Sequence, residues 1–99
     1  MGIIQMIKEA ILGTTVDFRA LINEGAVVVD VRTKDEFRMG HAKKSINIPL
    51  HNLSNKLDQL RGKTVILVCR SGARSGRATS FLKNNGIDSY NARAWQNVA

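Results

Sequence analysis

Residues 65–75 read VILVCRSGARS. The first five are apolar and the next six are small or basic. A short, unbroken apolar run rich in β-branched residues reads as a strand buried on both faces, which places it inside a parallel sheet. The small residues after it make a tight turn, and Ala78, Phe81 and Leu82 then give the inner face of a helix. Cys69, the sole cysteine, stands where strand passes into turn. A lone cysteine is commonly an inert packing residue. One at a helix start is a candidate nucleophile.

The same alternation extends outward in both directions. Upstream, Leu50, Leu53, Leu57 and Leu60 mark an amphipathic helix that ends at Gly62, and SINIPL is a short extended piece stopped by Pro49. Thr33-Lys34-Asp35-Glu36 matches a capping box, so a short helix starts there and ends at Gly40. AVVVDV is a second buried strand. Before it, Phe18, Leu21 and Ile22 form one helical face, with Thr14 and Asp17 as an N-terminal capping signal and Gly25 as the stop. Downstream, Asn85-Gly86 ends the helix after Cys69, IDSYNA gives a last strand, and Trp95 anchors the C-terminal end. Residues 1–13 form a separate amphipathic helical extension, and residues 14–99 form one domain.

Strands alternating with helices imply an α/β fold, a mainly parallel sheet covered by helices on both faces. Ligands of such sheets bind beyond the carboxyl ends of the strands. Cys69 and the Asp30-Val31-Arg32 segment both end strands, so both are expected at one rim.

Composition narrows the function classes. A chain of 99 residues with 43% hydrophobic content supports one modest core. Fifteen Lys and Arg against eight Asp and Glu give a formal charge of +7, which favours anionic partners. Aromatic residues are too sparse for a stacking surface, so no nucleic acid partner is expected. One cysteine and two histidines, His41 and His51, do not supply a usual zinc site, and neither a metal nor a cofactor is expected. No apolar run reaches transmembrane length, and a lone cysteine fits a reducing compartment, so a cytoplasmic location is expected.

The turn at Cys69 suits anion chemistry. Arg70, Ser71, Gly72, Ala73, Arg74 and Ser75 follow it, and the small side chains let the backbone curl so that successive N–H groups point inward. The helix start adds free N–H groups and a positive dipole end. Arg70 and Arg74 add full charge. All of these favour a thiolate, the reactive form of cysteine.

In order and spacing, VVVDVRTKDEF, GH, INIPL, VILVCRSGARS, NNGI and a terminal Trp resemble the rhodanese-like domains from about Thr15 to Trp95. That resemblance implies a three-layer α/β fold and sulfurtransferase activity. Cys69 would be catalytic, taking a sulfane sulfur from a small anionic donor such as thiosulfate and passing it, as a persulfide, to cyanide, a thiol or a protein acceptor. Arg70 through Ser75 would be the substrate-binding loop. Asp30, Arg32, Glu36 and His41 match the family's framework signature and would give structural support. A monomer is expected. The neighbouring alternatives are a cysteine-dependent phosphatase or arsenate reductase on the same fold, and a non-catalytic binding module. Cysteine-dependent phosphatases carry one residue more between cysteine and arginine than the four here, and a shorter loop suits a single sulfur atom. The chain departs from the family pattern at Ala92-Arg93, where two glycines are usual. A positive torsion angle there would strain these residues.

Overall fold

The computed structural model of the chain describes residues 16–99. The helical extension expected over residues 1–13, and Thr14, lie outside the described residues. Helix α1, Phe18–Asn23, is capped by Asp17 itself, whose carboxylate accepts the Ala20 N–H at 3.0 Å. Strand β1 follows at Val27–Asp30, and helix α2 at Lys34–Arg38 starts with the expected capping box. Thr33 Oγ1 accepts the Glu36 N–H, and Glu36 Oε1 accepts the Thr33 N–H at 2.9 Å. Strand β2 is short, Ile46–Asn47.

The segment expected as one helix from Leu50 to Leu60 is two. A 3₁₀ helix spans Leu50–Lys56 and helix α3 spans Leu57–Leu60. Asn52, Ser54 and Asn55 are weak α-helix formers. The three-residue spacing of Leu50 and Leu53 also fits a 3₁₀ turn, which stacks residues i and i+3 on one side. The inward leucines stay inward, so the departure in helix type leaves the core unchanged. Strand β3, Val65–Cys69, runs into helix α4, Ala73–Asn84. Strand β4, Ser89–Ala94, and a 3₁₀ turn, Trp95–Val98, complete the described chain.

Among the described residues the strands form one parallel sheet in the order β2-β1-β3-β4. All five residues of β3 are buried, as its composition predicts for a central strand. Side chains alternate across the sheet. Val65, Leu67 and Cys69 join Val29, Val31, Leu53, Leu60, Ala78 and Leu82 on one face, under α3 and α4. Ile66 and Val68 join Val28 and Ala92 on the other, under Phe18, Leu21, Ile22, Trp95 and Val98. Each fully buried leucine contributes about 2 kcal/mol of hydrophobic free energy. This parity aims Cys69 toward α4, the helix whose first turn it faces. The register pairs Asp30 with Val68 and Cys69 with Ala94, so the ends of β1, β3 and β4 share one rim.

Candidate active site

The rim is held by an ion pair beneath it and a second one across it. Asp30, fully buried, accepts the Arg32 backbone N–H at 3.0 Å, its Nε at 2.9 Å and its Nη2 at 2.7 Å. Arg32 Nη2 also donates to the Gly40 carbonyl at 2.7 Å, and the guanidinium lies 5.2 Å from the Trp95 ring centroid. Asn47 donates to the carbonyls of both Asp30 and Arg32. His41 sits at the end of α2, where its Nδ1–H donates to the Phe37 carbonyl and its ring stacks on Phe37 at 3.7 Å.

The second pair joins α2 to α4. Arg74 Nη1 and Nη2 donate to Glu36 Oε1 and Oε2 at 2.7 and 3.0 Å. Glu36 therefore closes the cap of its own helix and clamps the active loop. The Arg74 bond, then the Thr33 N–H, outweigh the effect of burial and hold the Glu36 carboxyl down at about 2, from 4.5. A depressed carboxyl adds stability above its unfolded value and loses it as the pH falls through its folded value. Glu36→Gln is thus expected to lower stability near neutral pH by about 1 kcal/mol, allowing for the solvent that reaches this pair. The gap to the parent should close between 4.5 and 2, which denaturant melts across that range will follow. Arg74, expected in the substrate-binding loop, has its guanidinium bonded to the Glu36 carboxylate. Arg70 is the exposed cation of the loop.

Cys69 lies at the floor of the loop, 1% exposed as a residue. Gly72, at φ +118°, caps α4 and donates its N–H to Sγ at 3.0 Å. That torsion suits glycine, and an added Cβ would stand 3.2 Å from Arg93 Cγ, so the Arg93 side chain would have to give way. Ser75 Oγ, also buried, is 3.2 Å from Sγ. Burial raises the thiol's pKa, but the Ser75 hydroxyl and the backbone N–H groups of Ser75, Gly72 and Ser71 outweigh it, and the net shift is downward. The curl foreseen from small residues thus delivers its donors to the sulfur. Ala73 opens the helix, and Ser71 and Ala73 lie exposed at the mouth.

Two residues of β4 complete the site. Arg93 takes φ +68°, the positive torsion expected to strain this position, and Ala92 does not. The register shift between β3 and β4 falls here. Asn91 was not foreseen. Its Oδ1 accepts the Ser75 hydroxyl at 2.6 Å and the Arg93 N–H at 2.9 Å, and its Nδ2 donates to the Gly72 carbonyl at 3.3 Å. The only trace it leaves in the sequence is a poor strand former inside a strand. Among the described residues no cluster of three His, Cys, Asp or Glu could hold a metal ion, and no helix is long and apolar enough to cross a membrane.

Comparison with known proteins agrees with this fold. Residues 14–96 match the family described as the rhodanese-like domain. A tRNA sulfurtransferase of Thermoplasma acidophilum is 33% identical over 79 residues, covering 80% of this chain and 16% of that protein. The Bacillus subtilis protein YqhL is 39% identical over 82 residues, covering 81% of this chain and 64% of YqhL. The chain therefore spans less than two thirds of the length of either relative. Among solved structures, a rhodanese with anions from E. coli superposes with a TM-score of 0.69 at 26% identity, covering 76% of this chain and 93% of that one.

Proposed function

The chain belongs to the rhodanese-like domain family, and on that premise we propose that it is a sulfurtransferase working through a persulfide on Cys69. The observation that carries the reading is a sulfur at the rim where a strand meets a helix, accepting the Gly72 N–H and lying 3.2 Å from the Ser75 hydroxyl. The Cys69 thiolate attacks the outer sulfur of thiosulfate. The bond between the two thiosulfate sulfurs breaks, and sulfite leaves with its electron pair. The outer sulfur stays on Cys69 as an anionic persulfide. An acceptor such as cyanide or a thiolate then attacks that sulfur and returns Cys69 as thiolate, which gives ping-pong kinetics. The N–H groups of Ser71, Gly72 and Ser75 and the first turn of α4 stabilise the negative charge in both forms.

Phosphoryl transfer is less well served. Four residues separate Cys69 from Arg74, and Arg74 is bonded to Glu36, so its guanidinium is not free to grip a tetrahedral anion. Incubation with thiosulfate followed by mass spectrometry tests the choice. The expected product is the chain plus one sulfur atom, lost again on treatment with dithiothreitol. Absence of that adduct, together with hydrolysis of an aryl phosphate, would replace this reading with the phosphatase one.

A further inference from the structure

We propose that Asn91 is a positioning residue, one that competes with the Cys69 sulfur for the single hydroxyl proton of Ser75. The assignment follows from counting protons. Asn91 Oδ1 faces the Arg93 N–H at 2.9 Å, and a backbone N–H requires an acceptor, so the amide oxygen is on that side. The amide nitrogen correspondingly donates to the Gly72 carbonyl. Oδ1 has no proton to give, and its 2.6 Å contact with Ser75 Oγ therefore makes Ser75 the donor. Ser75 then turns a lone pair toward Sγ, 3.2 Å away. A lone pair suits an S–H group and opposes a thiolate.

Ionisation of Cys69 accordingly draws the hydroxyl proton around to the sulfur and leaves Oδ1 with the Arg93 N–H alone. When the sulfur carries a second sulfur, the charge moves to the outer atom and the proton returns to Asn91. That return rests on the sulfurtransferase reading, while the competition in the resting thiol does not. The charged groups around the sulfur are Arg70 of the loop, exposed, Arg74 of α4, held by Glu36 of α2, Arg93 of β4, which packs against Gly72, and the Asp30–Arg32 pair at the end of β1. None of their side chains bonds to Ser75 or Asn91.

The test is the pH profile of Cys69 alkylation by iodoacetamide, which reads the thiol whether or not the chain transfers sulfur. Asn91→Ala releases the hydroxyl to the sulfur and is expected to lower the Cys69 pKa, giving about five-fold more thiolate at a pH below it. Ser75→Ala should raise the pKa, and in that background Asn91→Ala should have no effect. Asn91→Asp keeps a stronger acceptor and should move the pKa upward. Asn91→Asp also brings a carboxylate near the sulfur, which raises the pKa by charge alone, so a merely structural role is told apart in the Ser75→Ala background, where it would still move the pKa of Asn91→Ala. An unchanged or raised pKa in Asn91→Ala, or the same shift without Ser75, overturns the proposal. Should Asn91→Ala fail to fold, a lowered pKa in Asn91→Asp overturns it equally. Failure of thiosulfate to load Cys69, with the titrations as expected, would remove the sulfurtransferase reading and leave the competition standing.

Discussion

Replacing Cys69 with serine is expected to abolish sulfur transfer and leave the fold intact. Persulfide loading should vanish, and turnover should fall to the uncatalysed background, a loss of about 10⁴-fold or more. The reason is ionisation. The loop's donors lower the pKa of a thiol that starts at 9.0. The same donors cannot bring an aliphatic hydroxyl near neutral pH, and a neutral oxygen is a poor nucleophile toward sulfane sulfur. The fold should survive because serine is smaller than cysteine and its hydroxyl can accept the Gly72 N–H and donate to the Ser75 oxygen that now faces Sγ. Circular dichroism and a melt separate lost chemistry from lost structure. Transfer that persists in folded Cys69→Ser would rule out the covalent route.

The pH profile of the parent carries the same point. Thiosulfate consumption should rise with pH while Cys69 ionises and level off once it has. Because the net shift of the thiol is downward, the midpoint of that rise should fall below the pKa of an ordinary cysteine. A midpoint at or above that value would mean that the donors at Sγ do not favour the thiolate.

What could be read in advance divides by range along the chain. The run VILVC, the small residues after it and the face of α4 are local signals, and they place a cysteine at a sheet rim before any coordinates. The capping box at Thr33 is equally local, being made within one turn. The bond from Arg74 to Glu36 spans 38 residues, and no pattern within either segment announces it. The charge of Arg74 is visible in the sequence and its partner is not. Asn91 was missed for the same reason, since its role comes from β4 lying against the first turn of α4, at Gly72 and Ser75. Arg93 was anticipated because its departure from glycine is a statement about torsion, which belongs to one residue. The 3₁₀ segment shows the remaining limit. Leucine spacing defines an inward stripe, and both helix types satisfy it.

Asp30→Ala is expected to be the most destabilising change at this rim that leaves the loop itself untouched. Its carboxylate is fully buried and accepts three donors from Arg32, whose side chain is 6% exposed. Removing it strands a guanidinium that cannot lose its charge, and an uncompensated buried cation costs about 3–5 kcal/mol. For a domain of this size that lowers the melting temperature by about 15–30 °C, a large part of the stability such domains possess. The Gly40 carbonyl and the Trp95 ring still face Arg32, but neither carries a formal charge to replace the carboxylate. Removing both partners, as in Asp30→Leu with Arg32→Met, should be milder, because no charge is left without a partner. Thermal melts of the single and double variants decide the matter. A single variant that melts within a few degrees of the parent, or a double variant worse than the single, would show that the pair does not carry the rim. The consequence for the site runs through β1. Asp30 pairs with Val68 in the register, one residue before Cys69, and the Asp30 carbonyl accepts from the Ile48 N–H and the Asn47 side chain, at and just after β2. Sulfur transfer should therefore fall in Asp30→Ala in step with the folded fraction.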